Sequence, residues 1–334
     1  MTNFQHYQKE LQYEKSLRKI PILIPAITFV TSILLFLGIV FCYQQYIIES
    51  HTIFPLINSD FSRGAWWWTV IAGMLGHAIF IVLIHDGSHK AITRSKWDRF
   101  FMNLGSALML LPVYAEPFRK YHLIHHGSTN TEVDPLWPDT KRNLYNNHRW
   151  FYVCCELIPL LFTLYLVVLS EKSKTTEKSE NASASQANSA SASPANSASA
   201  SPAKKKNEPK LSMVNMIWAT CVSVVWYWFL QPDLGFLLWT LLFMNAFSAL
   251  RHWCEHLGYT HDLSSNSFWF PMGMGIGNHE THHHVPNISW FSLMLGLFSR
   301  KKTTSVLGTI WGVVFSKKFH HFSETDHPLV DPLD

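Results

Sequence analysis

Charge is scarce in this sequence: Asp, Glu, Lys and Arg make up 15% of 334 residues, against roughly a quarter in an ordinary soluble domain. The formal net charge is only +4 and the basic residues are scattered, which excludes the clustered positive face of a nucleic-acid-binding protein. Scarce charge beside 14 Trp and 23 Phe also excludes a chain that is disordered throughout or fibrous. Cysteine is scarce as well, five residues with no Cys-x-x-Cys pair, so neither a disulfide framework nor a zinc knuckle is indicated. Cys42, Cys154, Cys155 and Cys221 lie in apolar runs, where a thiol acts as a small buried hydrophobe. Cys254 stands between two histidines, on the opposite side of a helical turn from both.

Long uncharged runs take the place of charge. Residues 20–42 carry no charged side chain across about 35 Å of helix, enough to cross a bilayer. Residues 65–84 form a second span, opening on Trp66, Trp67 and Trp68, an aromatic belt of the interfacial kind. Residues 211–230 and 234–250 are the third and fourth, joined by a tight turn at Gln231, Pro232 and Asp233. Trp226, Tyr227 and Trp228 then fall at the same outer surface as the first aromatic cluster. With four spans and both termini inside, 26 of the 27 Lys and Arg face the cytoplasm, as the positive-inside rule requires. Residues 101–113 are too short to span. Residues 150–169 are long enough but hold Glu156 and Pro159; they read as interfacial or re-entrant, because a crossing there would put the histidines on opposite membrane faces.

Histidine is the residue in surplus: 19 copies, nearly as many as Asp and Glu together (23). Eleven fall into four clusters, His85-Asp86-Gly87-Ser88-His89, His122-Leu123-Ile124-His125-His126, His252 with His256, and His279-Glu280-Thr281-His282-His283 followed by His284. Residues three or four apart share a helix face, so each cluster can form a comb of ligands. A neutral imidazole suits iron, zinc, copper or nickel. One ion takes roughly three to six ligands, so nine or ten clustered histidines imply two metal ions. His77, alone within the second span, reads as a hydrogen-bonded core residue.

The order HxxxH, HxxHH, HxxHH within paired spans resembles the integral-membrane fatty acid desaturase superfamily, over roughly residues 65–292. His85-Asp86 with His89 resembles its HDxxH box. His126-Gly127-Ser128-Thr129-Asn130 with Asp134-Pro135 resembles its HHxxTN and DP continuation. Arg251 with Glu255-His256 resembles an extra histidine site, and His282-His283-His284-Val285-Pro286 with Trp290 resembles the HHxxP segment. One departure is that many members place Glu directly before the last histidine pair, where this chain has Thr281 and carries the acid at Glu280.

The resemblance implies an all-α integral membrane protein, four transmembrane helices in two hairpins with a cytoplasmic helical cap carrying a histidine-rich dimetal site. It implies two irons held by His85, His89, His122, His125, His126, His256, His279, His282 and His283. His252, where the family varies, is the tenth candidate. Asp86, Asn130, Glu255, Asn278 and Glu280 are candidates for hydrogen bonds that fix the imidazole tautomers. The implied activity is an O2-dependent non-haem diiron oxidoreductase that introduces a double bond into a fatty acyl chain, with carotenoid ring or lipid hydroxylation as the alternative. No cytochrome b5-like domain or ferredoxin-type cysteine set is visible, so a separate ferredoxin or cytochrome b5 type donor is expected, with a membrane lipid or acyl substrate and no nucleic acid.

Residues 1–19 read as a cytoplasmic N-terminal segment, 20–170 and 211–322 as one membrane domain, and 323–334 as a tail. Residues 171–210, where Ala-Asn-Ser-Ala-Ser-Ala-Ser-Pro occurs twice in tandem, read as a disordered insert. The rival reading is an intramembrane zinc metalloprotease, because His279-Glu280-Thr281-His282-His283 also satisfies HExxH. It leaves the first two clusters unexplained.

Overall fold

The computed structural model describes residues 3–50, 65–129, 134–136, 139–158, 211–256, 273–296, 311 and 313–315. Among these residues the secondary structure is all helical. Helix α1 covers Asn3–Leu17, and α2 covers Leu23–Ser50. Helix α3 runs from Ala65 to Ser88, followed by α4 (Trp97–Leu108), α5 (Ala115–Ser128), α6 (Asp139–Asn147) and α7 (Arg149–Leu157). Helices α8 (Met213–Leu230) and α9 (Leu234–His256) come next, then the short α10 (His279–His284) and α11 (Trp290–Gly296).

Four of these, α2, α3, α8 and α9, are long and apolar enough to cross a membrane. Their outward faces remain apolar, as with Phe29, Leu34 and Phe41 on α2 and Val214, Val224 and Phe229 on α8. That pattern suits lipid and not water. It also corrects one detail of the cysteine reading: Cys42 and Cys155 are buried, but Cys154 and Cys221 are exposed. In a membrane helix an apolar run can face outward.

Helix α3 is the central element, with 67% of its most apolar stretch buried. It packs between α2 and α9. Its Gly73 makes the close approach possible: a Cβ there would stand 2.7 Å from Phe243 Cβ and 2.9 Å from Met244 N of α9, the small-residue contact typical of membrane helices. The α8–α9 turn passes through Gln231 in a left-handed conformation at φ 41°. Asp233 then caps α9 by accepting the Phe236 N–H at 2.9 Å, satisfying one of the free amides of a helix start. Tyr43 of α2 donates to the Gln231 carbonyl at 3.0 Å, and Phe41 packs edge-on against Trp68. The turn and the first tryptophan cluster therefore meet the same end of α2.

Three of the four helices outrun the apolar stretches that announced them, whereas α8 lies within its own. Helix α3 extends beyond residue 84 to carry His85, and α9 continues beyond 250 to end on His256. Hydropathy falls where polar side chains begin, but the backbone hydrogen bonds continue. Of residues 150–169, the described part is a nine-residue helix ending at Leu157, about 14 Å long and too short to cross a bilayer. The remainder of that stretch, the 171–210 insert, Asn130 and the 323–334 tail lie outside the described residues.

Candidate metal centre

Four segments converge on one polar core at the end of the spans. Box one rides on α3, whose last turns before His85 widen into a π-helix over Phe80–His85. Such segments recur at functional sites. Gly87 lets α4 lie directly against this box, since a Cβ there would be 2.8 Å from Asp98 O and 2.9 Å from Met102 Cβ. Box two lies on α5, His256 ends α9, and box four is α10 itself.

The nine histidines sort into two groups. Donor atoms of His85, His89, His122, His126 and His282 lie within 4.8 Å of one another, and so do those of His125, His256 and His283. His279 joins the second group, its Nε2 being 2.7 Å from His256 Nε2 and 3.1 Å from His283 Nε2. His125 Nε2 is 3.3 Å from His256 Nε2, and in the first group His282 Nε2 is 3.0 Å from His126 Nε2. The rings of His126 and His283 stack at 4.2 Å between centroids, so the groups adjoin.

Helix geometry explains the sorting. His122 and His126 are one turn apart and point the same way, as do His279 and His283. The middle histidine of each box, His125 or His282, lies off that line and reaches the other group. Each HxxHH box therefore straddles both groups. The HxxxH box serves only the first, and His256 only the second.

Two of the four opposite ring nitrogens in the second group are hydrogen-bonded, while Nδ1 of His256 and of His279 has no hydrogen-bond partner among the described residues. His125 Nδ1 lies 2.9 Å from Asp134 Oδ2, and Asp134 Oδ1 also accepts the Leu136 N–H at 2.9 Å. His279 Nδ1 stands 3.3 Å from Glu255 Oε2, a close approach without an aligned hydrogen bond, while Arg251 donates to the same oxygen at 2.5 Å. Thr129 Oγ1 donates to the His125 carbonyl at 2.8 Å and sits 3.3 Å from His283 Nδ1. In the first group His85 Nδ1 is 3.3 Å from Asp86 Oδ1, and Asp86 Oδ2 accepts the Trp290 N–H at 2.6 Å.

These contacts decide what can fill the centre. A neutral imidazole has one N–H. With Nδ1–H turned to a carboxylate, the inward Nε2 presents a lone pair. Buried Nε2 atoms of His85, His89 and His122 have no hydrogen-bond partner among the described residues, each at a cost of about 1–3 kcal/mol if nothing else binds there. Two donors about 2.1 Å from one ion and at right angles stand about 3 Å apart, the spacing seen between the inward nitrogens. Burial, followed by the neighbouring imidazoles and, for His89, His279 and His283, by a nearby arginine as well, holds His89, His122, His126, His279, His282 and His283 well below the ordinary 6.5. Neutral histidines in this arrangement suit a soft or borderline metal cation.

The remaining candidates fall elsewhere. His252 lies with its ring 5.3 Å from that of His256 and belongs to neither group. Asn278 donates to the Leu293 carbonyl at 2.7 Å, tying box four to α11. Glu280 is partly exposed and stands outside the groups of candidate ligands. The site residues that spacing alone passed over are Asp134 and Thr129. Their signal was the TN and DP run after box two, which carried no assigned role.

Comparison with known proteins agrees with this geometry. A family model described as fatty acid desaturase matches residues 63–295. Two similar proteins are each named sphingolipid delta(4)-desaturase/C4-monooxygenase. One, from Mus musculus, is 22% identical over 69% of this chain and 63% of its own length. The other, from Bos taurus, is 21% identical over 76% of this chain and 72% of its own. The chain thus spans a little under two thirds of the mouse protein. No solved structure matches it.

Proposed function

We propose, for a chain that belongs to the fatty acid desaturase family, a membrane-bound oxidoreductase that introduces a double bond into a fatty acyl chain at a centre of two irons. The observation that carries this reading is the sorting of nine buried or partly buried histidines into adjacent groups of five and four. His85, His89, His122, His126 and His282 hold one iron, and His125, His256, His279 and His283 hold the other. His252 is left outside the ligand set.

Two irons so held supply, with O2 and electrons, the oxidising power to remove hydrogen from an unactivated C–H bond. The chain's own residues do the rest. Asp86 and Asp134 hold a proton at the Nδ1 atoms of His85 and His125, which keeps each Nε2 lone pair pointing inward, and Glu255 lies beside Nδ1 of His279. Thr129 steadies His283 in the same way. Burial excludes water from the centre and keeps the rings neutral. The fold then reads as two membrane hairpins with a helical cap on the cytoplasmic side, where the basic residues gather. Electrons come from a separate ferredoxin or cytochrome b5 type protein.

Hydroxylation is the second outcome, supported by the names of the mouse and cow relatives, which join a desaturase to a monooxygenase. The HExxH reading finds less support, because it gives no role to the five-histidine group and because His279 and His283 have two further histidines beside them, His256 and His125, where a zinc protease needs one further ligand. The test is expression in a host of known lipid composition, with lipids and pigments analysed by mass spectrometry. A new unsaturated acyl chain is expected. A hydroxylated lipid, or a hydroxylated carotenoid in a carotene-producing strain, would replace the main reading with its alternative.

A further inference from the structure

Helix α1 lies outside the stretch that matches the family, yet it brings a buried carboxylate to two histidine-bearing segments. Glu14 is only 2% exposed. Its Oε1 accepts from Arg18 Nε at 2.6 Å and from Arg94 at 3.3 Å. Its Oε2 accepts from the hydroxyls of Ser289 at 2.8 Å and Ser292 at 2.6 Å, and from the Ser289 N–H at 3.4 Å. A buried carboxylate is costly unless its lone pairs are filled, and here five donors reach it.

The contacts continue to the centre. Trp290, next to Ser289, donates its N–H to Asp86 Oδ2 at 2.6 Å, and Asp86 Oδ1 faces His85 Nδ1. Arg18 meanwhile donates to the carbonyls of Ile92, at 2.9 Å, and Ala91. The Ala91 N–H returns to the Asp86 carbonyl at 2.9 Å. One ion pair on α1 therefore clasps the backbone just after box one and the residues that follow box four.

We infer that Glu14, together with Arg18, is a positioning residue for the five-histidine group: it places Ser289 and Trp290 so that Asp86 is held between the Trp290 N–H and the ring of His85. The inference rests on the reading of that group as a metal site. It differs from a general fold-stabilising role because its contacts end on a ring nitrogen only in the five-histidine group, at His85 through Trp290 and Asp86, whereas toward the other group they reach only the Asn278 side chain at the start of box four. No described contact of Glu14 or Arg18 leads to Asp134, Thr129 or Glu255, which serve the four-histidine group.

The test is a metal titration of the full-length protein, purified in detergent and freed of metal, with cobalt(II) as the probe and its visible absorption as the readout. The wild-type protein should bind two equivalents, and His89→Ala identifies the one that belongs to the five-histidine group. Glu14→Ala should weaken that equivalent about 10–100-fold and leave the other unchanged. Glu14→Asp should recover part of the loss, and Ser292→Ala should give a smaller shift in the same direction. If Glu14→Ala does not insert into membranes, Ser292→Ala carries the same test. Two wild-type equivalents, with both unchanged or both equally weakened in the variants, would overturn the inference alone. Failure of the wild-type protein to bind two equivalents would overturn the site reading and this inference with it.

Discussion

The two histidine groups are alike in donor chemistry and unlike in support. The five-histidine group has more rings and fewer braces: His85 alone has an Asp at Nδ1, while Nδ1 of His122, His126 and His282 has no hydrogen-bond partner among the described residues. The four-histidine group has fewer rings, and two of them are hydrogen-bonded at Nδ1, His125 to Asp134 and His283 to Thr129, while Glu255 lies beside His279 Nδ1 without an aligned hydrogen bond. A carboxylate on Nδ1–H fixes ring orientation and makes Nε2 a stronger donor. The four-histidine group thus relies on the quality of its ligands, and the five-histidine group on their number. The two irons would not be equivalent.

That contrast predicts unequal responses to ligand loss. His125→Ala or His283→Ala leaves three imidazoles and should abolish product formation while the protein still inserts into membranes. His89→Ala leaves four and should retain a measurable, weakened metal equivalent. Metal content measured beside lipid analysis checks both, and greater metal loss in His89→Ala than in His283→Ala would break the comparison. Next in size, Asp134→Asn should weaken metal at the four-histidine group about 10–100-fold and spare the other. Selective cobalt titration reads this directly.

A pH effect of intermediate size should follow from burial of the rings. His89, His122, His126, His279, His282 and His283 sit well below 6.5 in the folded protein, whereas the unfolded chain titrates near that value. Between the two values the unfolded state binds more protons, so stability rises with pH through that window. The metal-free protein should therefore keep its full stability above about pH 6.5 and lose it steadily below. Thermal unfolding of chelated protein across that range is the check, and a flat profile would contradict neutral buried rings. The smallest effect belongs to His252→Ala, which should leave both metal equivalents in place and activity within a few-fold of wild type.

Much of this architecture was legible in the sequence because it rests on local rules. Uncharged runs at 20–42, 65–84, 211–230 and 234–250 mark four helices whose ends the structure shifts without relocating the helices, and histidine spacing marks the boxes. The division of labour within a box was not legible. Whether His125 or His282 joins its own box's pair depends on where neighbouring helices lie, which spacing alone does not contain. Asp134 and Glu14 were hidden for a related reason. Asp134 reaches His125 across nine positions, and Glu14 reaches Ser292 across 278, distances over which sequence carries no periodicity. The π-helix before His85 was equally invisible, since Phe80–His85 reads as an ordinary apolar helix.

On the proposed reading the histidines hold two irons, one in each group. Metal analysis of protein purified without added metal tests it most directly. Two irons per chain, falling to one or none when ligands of a single group are removed, is the predicted result. One zinc per chain and no iron would contradict it.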